Sequence, residues 1–251
     1  MVRYTQPMKE FQVNPLVSPG AGPVPGVPQH QPSNLFRFGE ITLYSTFAFP
    51  AGAGGLALAN TTNRLFATPL GQQGQGFAVA LTVAETNLKE AGRIPSGQAY
   101  DVFGVAGQVM GFDATAQTLD LPFNDVAAAG VAPAAGQASI ADLQNFVNNT
   151  ILLWDFTQTQ VFICPLMLAG AGGGLFGAFG ANAAAASGGS MGNGNGGIWM
   201  YRRHPVALPG NSTFAVLAQI GGRAAGVLGA NNGMALRVVL LGYYKSVIEI
   251  G

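Results

Sequence analysis

The chain reads as an all-β protein, an antiparallel Greek-key sandwich with one short helix and an extended N-terminal arm. Three observations predict this class. Segments rich in β-branched and aromatic residues recur and are cut by proline and glycine turns, as in Phe36–Phe49 before Pro50 and Ala99–Phe112 after Pro95-Ser-Gly. No strand-helix-strand alternation supports a parallel sheet. One stretch alone carries helical apolar spacing.

The elements follow in order. Residues 1–34 form a Pro-rich arm: between Phe11 and Phe36 there is no charge, and Pro15, Pro19, Pro23, Pro25, Pro28 and Pro32 favour extended polyproline II over helix or central strand. The arm either stays outside any core or orders along a neighbouring subunit. From residue 35 to 251 the texture is that of one β domain. Its first strand is Phe36–Phe49, followed by Arg64–Thr68, Phe77–Ala84 and Ala99–Phe112, with a short piece ending at Asp120-Leu-Pro. Ala127–Gln137 is alanine, glycine and proline, hence loop. Ser139 then serves as helix N-cap with Asp142 at the third helical position, and Ile140, Leu143, Phe146 and Val147 share one face of a helix of about ten residues. Ile151–Phe156 and Gln160–Leu168 are strands, and a Gly/Ala-rich loop covers 169–197. Gly197–Arg203, Ser212–Ile220 and Met234–Ile250 complete the set, with Gly242 placed to bend or bulge the last. Eight or so strands with long connections make a single eight-stranded jelly roll the expected form of the sandwich.

Charge is scarce. The 251 residues include 11 basic and 11 acidic ones, 9% of the chain, where an ordinary soluble domain carries about a quarter. Charged side chains keep proteins apart, so such a chain either enters a membrane or gives its surface to other subunits. The uncharged tract from Phe156 to Tyr201 is dense in glycine, which makes a spanning helix unfavourable. Transmembrane barrel strands would be more numerous and more regular. The N-terminus, with Arg3, Lys9 and Glu10, shows no signal-peptide core, so secretion by that route is not expected. Zero formal net charge leaves no global field for nucleic acid or an anionic membrane.

The charges are sorted by sign. Asp101, Asp113, Asp120, Asp125, Asp142 and Asp155 occupy a middle region without basic residues, and Arg202, Arg203, Arg223, Arg237 and Lys245 a later region without acidic ones. These groups either neutralise each other within one subunit or meet across subunit contacts. On the second reading the candidate subunit-contact residues are Asp101, Asp113, Asp120, Asp125, Arg202, Arg203, Arg223 and Arg237.

Catalytic readings fail on context. Gly188-Gly-Ser190-Met-Gly192 matches a nucleophile elbow and His204 lies downstream, yet glycine and asparagine follow the serine where a helix is required, and no acid lies between Ser190 and His204. Gly172-x-Gly174-x-x-Gly177 and Gly52-x-Gly54-x-x-Ala57 match dinucleotide fingerprints without the helix or the acid that the fingerprint needs. The two histidines, His30 and His204, have no Asp, Glu or Cys at ligand spacing, so no metal or other cofactor is expected. Asp113, Asp120 and Asp125 sit in turn contexts where Asp caps backbone groups, although a carboxylate pair has the same spacing. The lone Cys164, in Val161-Phe-Ile-Cys-Pro-Leu, reads as a buried small hydrophobe. Arg202-Arg203 would suit a phosphate but falls short of a broad basic patch. The chain is not expected to be an enzyme.

A family resemblance rests on Asn63-Arg-Leu-Phe-Ala-Thr-Pro-Leu-Gly-Gln-Gln-Gly-Gln-Gly-Phe, Thr86-Asn-Leu-Lys-Glu-Ala-Gly-Arg-Ile-Pro-Ser-Gly, Val206-Ala-Leu-Pro-Gly-Asn-Ser-Thr-Phe and Leu236-Arg-Val-Val-Leu-Leu-Gly. In texture and order this chain resembles the jelly-roll capsid proteins of tailless icosahedral bacterial viruses. A proline-glycine turn into a strand, then an apolar closing strand, is similar to the end of a viral jelly roll. The Gly/Ala tract after Leu168 departs from the pattern. The resemblance implies a major capsid subunit, made in the host cytoplasm and located in the virion. Its implied partners are copies of itself and other capsid proteins, with weak contact to genome or internal membrane and no small-molecule substrate. The alternative is a carbohydrate- or receptor-binding β-sandwich displayed on a particle as a spike or minor capsid protein. A double jelly roll would be tight in this length.

Overall fold

Two main antiparallel sheets share a core in the computed structural model, which describes residues 35–49, 60–113, 115–120, 126–127, 138–139, 146–156, 159–169, 177–178, 190–191, 197–201, 203–221 and 232–248. The chain divides into Phe36–Val247 and a second unit, Met1–Leu35 with Ile248–Gly251. The proline arm expected at 1–34 lies outside the described residues, as does most of the Gly/Ala tract.

Eight strands carry the architecture: β1 (Leu35–Phe49), β2 (Thr62–Leu65), β3 (Gln98–Asp113), β4 (Thr150–Phe156), β5 (Thr159–Pro165), β6 (Val206–Leu208), β7 (Ala215–Ile220) and β8 (Asn232–Ile248). In the first sheet the order is β1-β8-β3, and the far edge of β3 is met by β6 at 100–102, by Trp199–Met200 at 104–105 and by Thr118–Asp120 at 111–113. The second sheet runs β2-β7-β4-β5. The strand pairings described in both sheets are antiparallel.

Alternation of side chains explains the layering. On β8, Met234, Leu236, Val238 and Leu240 point inward. They meet Tyr100, Val102 and Val105 of β3, Leu152 and Trp154 of β4, and Val216, Ala218 and Ile220 of β7 in one buried cluster. Phe66 and Phe214 stack into it with ring centroids 5.6 Å apart. Trp154 is 1% exposed, and its Nε1 donates to the Tyr201 hydroxyl at 2.8 Å, so its one polar atom is paired. A second, smaller cluster lies on the opposite face of the first sheet, where Ala48, Met110, Phe112 and Ala235 receive Phe77 and Leu81.

Several elements differ from the sequence reading. Phe77–Ala84 forms turns rather than a strand, because its apolar side chains pack onto the outer face of the first sheet instead of alternating across a ladder. The second strand closes at Leu65, since Phe66 takes a left-handed backbone with φ 62. β5 ends at Pro165 and gives way to a 3-10 turn at Leu166–Leu168. Gly197–Arg203 shrinks to Trp199–Met200. Ala138–Ser139 pairs in parallel with Val126–Ala127. Helix is described only at 146–149, where Phe146 packs edge-on to Phe49 at 5.6 Å. Residues 140–145 of the expected helix lie outside the described residues. The bulge expected at Gly242 is present: the register with β3 shifts between Leu241 and Gly242.

Cys164 is fully buried, and desolvation pushes its thiol up from the ordinary 9.0 to about 11. Burial also raises the Tyr100 hydroxyl well above its usual range. A raised acid holds its proton in the folded chain at a pH where the unfolded chain has lost it, so this contribution to stability is complete below the unfolded value and falls as pH rises. Urea midpoints are therefore expected to drop between pH 9.0 and about 11, with a shallower drop in Cys164→Ala. Equal slopes in the two proteins would remove the thiol from the account.

Candidate assembly surfaces

The charged residues singled out by sign have different surroundings. Asp101 on β3 pairs with Lys245 on β8, on the outer face of the first sheet. Asp155 on β4 reaches Arg64 on β2 at 3.4 Å across β7. Both contacts lie within one chain and join the acidic middle to basic residues elsewhere. Asp113 caps a turn, its Oδ1 accepting from the Thr115 and Ala116 N–H groups at 2.7 and 2.9 Å. Arg237 is turned into the chain: its Nε donates to Thr46 Oγ1 at 3.1 Å, Nη2 donates to the Ala84 carbonyl, and the guanidinium lies 5.6 Å from the centre of the Tyr44 ring. Burial lowers its pKa, opposed by the charges of Tyr44 and Glu85. Arg203 is exposed, as is His204. Asp120 is placed in the strand Thr118–Asp120, and Asp125, Arg202 and Arg223 lie outside the described residues. Ser190 belongs to a two-residue strand paired with Ala178.

Arg237 joins β1, through Thr46 and Tyr44, to Ala84 in a long connection between β2 and β3, over 66–97, which the sequence reading broke into strands and turns. This connection straps the outer face of the first sheet. Gln75 anchors it, with a left-handed backbone (φ 53) and a buried side chain. Its Oε1 accepts from the Ala67 and Thr68 N–H groups at 3.0 and 3.1 Å, and its Nε2 donates to Ser45 Oγ at 2.8 Å and to the Thr46 carbonyl at 2.6 Å. Farther along, Ser45 bridges Thr86, the Asn87 N–H donates to the Tyr44 carbonyl, and the Tyr44 N–H donates back to Asn87 Oδ1 at 2.9 Å. Strap and strand therefore exchange main-chain bonds along the outer edge of β1.

Among the described residues, besides Ile41 on β1, large apolar side chains lie exposed in three groups. Ile198, Met200 and Tyr243 are 45%, 46% and 46% exposed. They lie around the outer face of the first sheet near Gly104, where a Cβ would meet Ile198 and Met200 at 3.0 Å, and the Phe103 ring stands 5.1 Å from Tyr243. Leu70, Val79 and Val83 project from the strap. Val161 and Phe162 lie exposed on β5, followed by exposed Met167 and Leu168. The last group had no signal in the sequence beyond its apolar run, which reads equally as a buried strand.

No family model, curated protein or solved structure matches the chain.

Proposed function

We propose that this chain is a structural shell subunit, the major capsid protein of an icosahedral bacterial virus, that assembles with copies of itself through apolar and loop-mediated contacts. The observation that carries the proposal is the strand order. β1 lies beside β8, β7 beside β2, β6 beside β3, and β5 beside β4, so the partners in these four pairs run inward from the two ends of the chain. A single eight-stranded ribbon folded back on itself, with its tip between β4 and β5, has these neighbours. Rolling that ribbon adds the β8·β3 and β7·β4 contacts and gives orders 1-8-3-6 and 2-7-4-5, which support the jelly-roll reading of the sandwich. Jelly rolls recur in virus shells because a rigid sandwich offers flat flanks for lateral packing while its loops elaborate at little cost.

The surface supports the same reading. Charge is 9% of the chain, and three ion pairs among the described residues are spent inside it. Contacts between subunits would then rest on apolar burial, worth about 25 cal/mol per Å², more than on salt bridges. Partners beyond this chain, such as a second coat protein, would use the same flanks.

The test is to express the chain alone and image it by electron microscopy, then follow sedimentation of the assemblies from about 0.05 M to about 1 M salt. Closed particles or regular sheets that persist at the upper salt are expected. A monomer at all concentrations would overturn the proposal, and particles that fall apart in moderate salt would overturn its apolar basis. Finding the chain in only a few copies per native particle would favour a displayed binding domain instead.

A further inference from the structure

Four sheet edges are available to a neighbour, and three are closed or short. The outer edge of β1 carries main-chain bonds from the strap, including Ala48 N–H to the Gln75 carbonyl at 2.8 Å. The far edge of β3 is filled by three short strands, and between them the Gly107 N–H donates to the Ala169 carbonyl at 2.6 Å. β2 is four residues long and bears Arg64. β5 remains. Among the described residues it is paired on one side only, by β4.

We infer that β5 pairs antiparallel with β5 of a second copy of this chain about a twofold axis. Along an antiparallel strand, alternate residues direct their N–H and C=O groups away from the existing partner, and at an edge these await another strand. Natural edges are usually blunted by charge, proline or brevity. Here Thr159, Gln160, Val161 and Phe162 are exposed, none is charged, and proline arrives only at 165. The absence of charge also selects the occupant. A twofold contact places a surface against itself, so a charged edge would face its own sign, whereas an uncharged one meets no repulsion.

Side-chain rows point the same way. Arg64, Leu217, Leu153 and Phe162 are successive cross-strand partners on β2, β7, β4 and β5. Phe162 ends this row with 56% of its surface exposed, beside Val161 at 45%. Strand pairing extends the row into a second copy and covers both. One edge strand offers less than the roughly 800 Å² per partner of a standard interface, so the pair is weak alone and is reinforced by other contacts in a closed shell. To that extent the inference rests on the shell reading, although the pairing itself does not require it.

Single cysteines at 159, 160, 161 and 162 test the geometry, because the native Cys164 is buried and its raised thiol pKa keeps it silent. Under mild oxidation one position next to the axis is expected to cross-link to its own copy, with yield falling on either side. Cysteine at Val83, 68% exposed on the strap, serves as background. Val161→Lys and Gln160→Lys, both at exposed sites, are expected to weaken self-association at least about tenfold through like-charge opposition, with the thermal transition unchanged. Mixing Val161→Lys with Val161→Glu should restore it. Particles that form with no cross-link above the Val83 background, or a Val161→Lys protein that assembles like its parent, overturn the edge pairing while sparing the shell. Cross-linked dimers without particles keep the pairing and overturn the shell.

Discussion

Replacing Gln75 with leucine is expected to lower the free energy of unfolding by about 3 to 5 kcal/mol, the cost of stranding several buried polar groups at once. The Gln75 amide is 7% exposed and satisfies the Ala67 and Thr68 N–H groups, the Thr46 carbonyl and Ser45 Oγ. Leucine fills a similar volume and answers none of them. Each orphaned group would forfeit about 1 to 3 kcal/mol if it stayed dry, and partial entry of water keeps the total below their sum. The backbone at residue 75 already holds φ 53, and Gly76 follows at φ 83 with the Ala48 carbonyl 1.8 Å from where a Cβ would sit. The turn cannot slide to find new partners. The loss should therefore appear locally first, as faster amide exchange across 66–94 while β4 and β7 keep their protection. A variant within about 1 kcal/mol of the parent, or exchange that rises evenly through both sheets, would show that the strap is not anchored there.

The same strap marks the boundary of what could be read from the sequence. β1, β3, β7 and β8 were legible because aromatic and β-branched residues there face one core and alternate with a second face. Phe77 and Leu81 carry the same residue types, yet they reach the outer face of the first sheet from a chain of turns, and composition does not distinguish a strand from a cover. Gln75, the residue that makes the cover possible, is one of three glutamines interspersed with three glycines over 71–76, with no local pattern to separate it from loop filler. The charges were legible as a sorted pattern and not as a use. Asp101 and Lys245 meet only because β3 and β8 pair antiparallel along their length, a contact between residues 144 apart. The open edge at β5 was invisible for a related reason, since whether Val161 and Phe162 are covered depends on which strand ends the sheet.

Gly242→Ala is expected to destabilise the protein by about 3 kcal/mol or more, the upper part of the range for forcing atoms into a packed site. A Cβ at residue 242 would lie 2.6 Å from the Asp101 carbonyl oxygen and 2.6 Å from Cζ of Tyr100. Neither neighbour can retreat. The carbonyl belongs to β3 within the paired ladder, and the Tyr100 ring is 1% exposed with its hydroxyl between the carbonyls of Leu240, at 2.7 Å, and Ile41. The site is where the register shifts, with Phe103 as the extra residue on β3, so that Tyr244 joins the core while Tyr243 faces out. Relief by slipping the register would exchange those two faces. Tyr100→Leu alone should also destabilise, by removing the hydroxyl's hydrogen bond to the Leu240 and Ile41 carbonyls, but combined with Gly242→Ala it should cost less than the sum of the two. Denaturant unfolding of both single variants and the double variant measures this. Strict additivity would mean that alanine at 242 is accommodated by the backbone alone, and the contact between the Tyr100 ring and the bulge would lose its place in the fold.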